Sequence, residues 1–250
     1  MDRDVTLAVT DGDAWRVAAL SMMSASELNR ILSGDDAAPW IVAAANMGIV
    51  EAQIRLGRML LSGEGMGQDE RAAFAWFGRA VEAGNIDAHN MLGRCHEGGW
   101  GTVQDFVKAA QHYSVAADAG DAWAQYNLGH LYLDGNGVAR DVDWAFVLYM
   151  RASEQGHIRA MNLVARCYEE GWGAPRDEAP ARDWYRKSAE GGYFRGAYNY
   201  ATMLVSEGNM DNAAHWFKQA IDTAPEPTRT NMIAALAKHP NDIVRAVIRD

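Results

Sequence analysis

The chain has 250 residues, 49% of them hydrophobic and 22% charged, so it can bury a sizeable core without cross-links. Its 23 Lys and Arg against 33 Asp and Glu give a net charge of −10, which leaves no broad basic surface for nucleic acid and disfavours anionic membranes. With 24 Gly against 6 Pro, the composition suits short helices broken by glycine turns better than a disordered chain or a β-sandwich.

Residues 1–15, with Asp2, Asp4, Asp11 and Asp13, read as a flexible N-terminus. Val17 to Met23 is too short and too poorly flanked for a secretory signal. The longest apolar stretches fall far below the roughly 18 residues of a membrane span, so a cytoplasmic protein without membrane insertion is expected. Residues 16–51 follow as a divergent N-terminal repeat. Ser26 to Leu32 is its shortened first helix, and Trp40, Ala44 and Gly48 match the second half of the unit that comes next.

Residues 52–195 hold four units that recur every 36 residues, starting at Ala52, Ala88, Ala124 and Ala160. Leu56, Leu92, Leu128 and Val164 follow at i+4, then Gly57, Gly93, Gly129 and Ala165. This spacing marks one face of a first helix. Glycine pairs end that helix at Gly63/Gly65, Gly99/Gly101, Gly135/Gly137 and Gly171/Gly173, where positive φ carries no Cβ penalty. Asp69, Asp105, Asp141 and Asp177 then stand where a carboxylate accepts from the free N–H groups of a second helix. The buried face of that helix runs through an Ala, an aromatic (Phe77, Tyr113, Tyr149, Tyr185) and a small residue. The small residues let helices approach closely, and the aromatics are expected to fill the gaps between repeats.

Residues 196–227 lack the double-glycine loop and have Gly208-Asn209-Met210-Asp211 in its place, followed by Trp216, Phe217, Ala220 and Pro225. They read as a tetratricopeptide-like repeat. Residues 228–250 read as one or two short capping helices divided by Pro240.

The register of about ten positions per unit resembles the Sel-1-like repeat family, the longer-looped relative of the tetratricopeptide repeat. The resemblance implies an all-α fold, a right-handed α/α solenoid with a C-terminal helical cap. The first helix of each unit would line a concave groove, and the second would form the outer wall. It also implies a non-catalytic, bacterial-type cytoplasmic adaptor or scaffold that binds a protein or peptide partner.

Opposite the buried stripe of each first helix, a second set of positions shares one side. These place Arg58, Asn90, Arg94, Trp123, Tyr126, His130, Asn162, Arg166 and Tyr198 on the expected concave face. Arg58, Arg94, His130 and Arg166 occupy the same register position and make a basic row in an acidic protein, suited to an acidic or carboxylate-ended segment through forked hydrogen bonds. The alternative is an internal ladder, with Arg94 and Arg166 paired to Glu97 and Glu169. Trp100 and Trp172, between the glycines of their loops, are either loop-edge contacts for a partner or rings folded back over the preceding helix, and packing favours the second.

Other chemistry finds little support. Cys95 and Cys167 share one register position, two repeats apart, which is too far for a bridge. They read as small buried hydrophobes. His89, His96, His112, His130 and His157 show no i, i+4 pairing with a carboxylate or thiol, so no metal is expected. The glycine turns recur once per repeat and lead into Asp, not Lys-Ser or Lys-Thr, and no Gly-x-Ser-x-Gly occurs. No cofactor and no catalytic residue are expected. Beside the adaptor reading stands an alternative: an immunity or inhibitor protein that neutralises a cognate toxin or enzyme, because a compact acidic chain attracts a basic target.

Overall fold

A computed structural model of the chain describes residues 11–32 and 37–248, which fall into two compact units, Met1–Asp121 and Ala122–Asp250. Among the described residues every regular element is a helix. None of these helices is long and apolar enough to cross a membrane.

The first unit contains α1 (Asp11–Leu20), α2 (Ala25–Leu32), α3 (Ala37–Asn46), α4 (Val50–Ser62), α5 (Glu70–Glu82), α6 (Asp87–Gly98) and α7 (Phe106–Asp118). Residues 1–10 of the expected flexible N-terminus lie outside the described residues, whereas 11–15 open α1, a helix the repeat pattern does not reveal. Its Leu20 joins Ile41, Ala44, Leu56, Trp76 and Phe77 in one hydrophobic cluster.

The second unit contains α8 (Ala122–Asp134), α9 (Val142–Glu154), α10 (Ile158–Glu170), α11 (Glu178–Glu190), α12 (Phe194–Ser206), α13 (Met210–Thr223), α14 (Thr228–Leu236) and α15 (Asp242–Ala246). The last two helices flank Pro240 and bury Leu236 and Val244 in a cluster with Leu204 and Phe217. They cover an edge that would otherwise be apolar and exposed.

The loop chemistry explains where the helices start and stop. Asp69 accepts from the Ala72 N–H at 2.9 Å, Asp105 from Lys108 at 3.0 Å, Asp141 from Trp144 at 2.9 Å and Asp177 from Ala179 at 3.0 Å. Each carboxylate satisfies a donor that has no partner inside its own helix. At the other end, Gly99 adopts φ 72° and its N–H closes on the Cys95 carbonyl. Gly101 is required twice over: its φ is 70°, and a Cβ there would overlap the Glu70 carbonyl.

The aromatics of the second helices reach both neighbours, as the spacing suggests and beyond it: Tyr149 clusters with Leu163, Val164 and Cys167 of the next repeat and Phe77 with Ala88 and Leu92. The rings also lie on the first helix of their own repeat. A Cβ on Gly93 would come within 2.6 Å of the Tyr113 ring, and one on Gly129 within 2.6 Å of Tyr149. Glycine in mid-helix costs stability, but here its bare backbone is the seat of a fully buried ring.

Candidate functional site

In the second unit, the outward faces of the first helices converge on one cavity of about 300 Å³. α8 contributes Tyr126 and His130, and α10 contributes Arg159, Asn162 and Arg166. α12 adds Arg195, Tyr198 and Asn199, preceded by its N-cap residue Tyr193. Met232 of α14 completes the wall. The repeat is what assembles the set: residues that are equivalent in register share a face on successive helices.

Hydrogen bonds and ring contacts hold these side chains. Asn199 donates its amide to Asn162 Oδ1 at 2.9 Å, tying α12 to α10. The Tyr126 ring meets His130 edge-on at 4.7 Å and lies tilted on His157 at 4.8 Å. Burial pushes the His130 pKa below its usual value, Asp134 opposes that and nearby Arg166 adds to it, so His130 is neutral near pH 7. Burial also raises the Tyr198 hydroxyl. Cationic charge in the cavity therefore resides on its arginines.

Trp123 stands beside this cavity, half exposed at 48%. Its ring lies under the Arg159 guanidinium at 5.3 Å and edge-on to His157 at 4.4 Å. His157 in turn accepts from the Ala160 N–H at 3.1 Å and so caps α10.

In the first unit, Arg58 and Arg94 share a more open cavity of about 430 Å³ with Met91, Glu70 and Trp100. Here Glu70 lines the wall beside the arginines, and the chemistry is mixed. Asn90 is buried at 8% exposure and donates to Asp121 at 3.4 Å; it joins elements of its own unit and is not open to a partner.

The internal arginine–glutamate ladder does not form. Glu97 accepts instead from the Tyr113 hydroxyl at 2.5 Å and Glu169 from Tyr185 at 2.6 Å. The arginines lie over indoles, Arg94 over Trp100 at 5.3 Å and Arg166 over Trp172 at 5.1 Å. Both loop tryptophans are thus folded back over their preceding helices; a Cβ on Gly98 would meet the Trp100 ring at 2.7 Å.

Two groupings lie beyond the reach of spacing along the chain. Tyr193 and Asn199 join the cavity from a helix start and a neighbouring position, visible only once the helices are stacked, whereas Arg159 and Arg195 share one register position on the face that the spacing marks. His89 and His112 approach at 3.0 Å between Nδ1 atoms, and His96 stacks on His112 at 5.5 Å. These histidines lie on two helices, so no i, i+4 rule pairs them. Among the described residues, no three His, Cys, Asp or Glu side chains are arranged to hold a metal ion. Cys95 and Cys167 are free and buried.

A family model described as the Sel1 repeat matches residues 50–85, 86–121, 124–157, 158–193 and 195–222. No curated protein matches the chain. Among solved structures, a protective antigen present in uropathogenic Escherichia coli strains, displaying the same repeat fold, aligns with TM-score 0.70 and 23% identity over 94% of this chain. This chain spans 52% of that antigen, about half its length. A Sel1 repeat protein from Oxalobacter formigenes aligns with TM-score 0.76 and 23% identity, covering 90% of this chain and 96% of its own. An immunity protein from Pseudomonas aeruginosa aligns with TM-score 0.54 and 16% identity, covering 80% of this chain and 75% of its own. At these identities the likeness is one of fold.

Proposed function

The chain belongs to the Sel1 repeat family, and from that premise we propose that it is an interaction module that holds an acidic or carboxylate-ended segment of a protein partner in the cavity of its second unit. Repeats of this family generally mediate protein–protein interaction and are generally non-catalytic. The observation that carries the reading is the convergence of Arg159, Arg166 and Arg195 with Tyr126 and Tyr198 around one cavity. Arginines offer forked donors to carboxylates, while the tyrosines cover the apolar parts of a bound chain.

Affinity capture from the native cell at physiological salt tests this. The wild-type chain should retain a specific protein, and Arg166→Ala or Tyr126→Ala should lose about ten-fold or more of that binding. The surface variant Arg186→Ala, from an exposed cluster with Asp183 and Glu190, should retain it. A partner indifferent to both cavity variants would move the contact elsewhere.

A second reading, an immunity or inhibitor protein, is favoured by the net charge of −10. The field of the whole molecule attracts a basic target, the opposite sign from a ligand of the cavity. Association that slows steeply with added salt and ignores the cavity variants would favour this reading over the first.

A further inference from the structure

The cavity of the second unit has a charge pattern that narrows its occupant. Arg159 and Arg195 stand in the first turns of α10 and α12, and Arg166 lies further along α10. Among the described residues none of the three guanidinium groups pairs with a carboxylate. Each lies over a ring instead: Arg159 over Trp123 at 5.3 Å, Arg166 over Trp172 at 5.1 Å and Arg195 over Phe194 at 5.6 Å. A ring occupies one face of a guanidinium and leaves its N–H edge available. Among the described residues, no Asp or Glu lines the cavity. The positive ends of α10 and α12 add to the same potential.

Three like charges around about 300 Å³ repel one another, and an anion offsets that cost. Charge and shape decide which anion. One carboxylate brings a single charge and two oxygens, which leaves most of the positive charge uncompensated. Acidic side chains on one side of an extended segment stand roughly 7 Å apart, so they spread their charge along the segment and do not gather it at one point. A phosphate monoester concentrates close to two charges and three acceptor oxygens on one atom. Three forked donors can then take one oxygen each.

We infer that this cavity takes a phosphate monoester carried on a side chain of the partner protein, with Arg159, Arg166 and Arg195 as its ligands and Tyr126 and Tyr198 as walls for the flanking residues. The inference rests on the partner-binding reading above and specifies its chemistry.

Fluorescence anisotropy on the full chain tests it with labelled, end-capped pentapeptides holding phosphoserine, serine or glutamate between glycines, and with a peptide ending in a free aspartate. The phosphoserine peptide should bind about ten-fold or more tightly than the glutamate and aspartate-ended peptides, and inorganic phosphate should displace it at higher concentration. Arg159→Gln, Arg166→Gln and Arg195→Gln should each weaken it about ten-fold or more with unchanged circular dichroism, whereas Arg186→Gln should bind like wild type. An aspartate-ended peptide that binds as tightly as the phosphoserine peptide overturns the phosphate assignment and leaves the partner reading in place. Inorganic phosphate that binds as tightly as the phosphopeptide overturns the role of the partner chain. If no peptide and no phosphate binds, the assignment falls; the broader reading falls with it only if a captured partner also ignores Arg166→Ala.

Discussion

The Tyr113 hydroxyl donates to Glu97 at 2.5 Å across the two helices of one repeat, and Tyr185 repeats the bond to Glu169 at 2.6 Å. Tyr149 occupies the same register position between them, but Leu133 stands where the glutamate would be. The Tyr149 hydroxyl is buried and has no hydrogen-bond partner among the described residues. One substitution in the repeat therefore turns a stabilising contact into a buried polar group that costs stability.

Opposite outcomes are expected from the same mutation at these sites. Tyr113→Phe and Tyr185→Phe each remove a bond to a carboxylate and should destabilise the fold by about 1.5 kcal/mol or more. Tyr149→Phe should leave stability unchanged or raise it by about 1 kcal/mol, because only an unsatisfied hydroxyl is lost. Urea denaturation of the three variants measures this, and a large loss for Tyr149→Phe would show that its hydroxyl has a partner.

Gly93→Ala should destabilise even though alanine is the better helix former by about 1 kcal/mol. The added methyl would lie within 2.6 Å of the Tyr113 ring, and overpacking of this kind costs about 1–3 kcal/mol. Gly78, where an added methyl would meet nothing within 4 Å, is the control: Gly78→Ala should stabilise. Thermal melts of the two variants should shift in opposite directions.

Acid should weaken the fold through two histidines. Burial lowers the His112 pKa to about 4, helped by His89 and His96, and burial followed by Arg159 lowers His157 to about 4. Both lie below the value of about 6.5 for an unfolded chain. The unfolded state therefore binds the protons first, and stability present above pH 6.5 is lost as pH falls from there through about 4. Denaturation midpoints measured from pH 7.5 to 4.5 should decline, and His112→Gln should flatten the decline.

The two thiols should be inert. Burial pushes the pKa of Cys95 and of Cys167 up to about 12, so almost no thiolate exists at neutral pH. Thiol reagents should label both cysteines only after unfolding, and reducing agent should leave the melting temperature unchanged. Rapid labelling of the native chain would mean that the helices carrying them open readily.

What the sequence determined by itself was local and periodic. Asp105 as a cap and Gly99 as a stop depend on atoms within a few residues, and the unit from Ala88 to Gly120 is read from the recurrence of those signals every 36 residues. The buried side of the first helices followed from the same periodicity, and five of the residues placed on the concave side, Tyr126, His130, Asn162, Arg166 and Tyr198, line a single cavity. The tertiary structure decided what those residues meet. Arg166 lies over Trp172 and not against Glu169, Asn90 turns inward to Asp121, and His89 reaches His112. Tyr193 and Asn199 join the same cavity from outside the face that the periodicity marks. Partners of this kind are chosen by the stacking of separate helices, and a side chain with several partners within reach takes the one that packing and desolvation favour, which spacing along the chain does not encode.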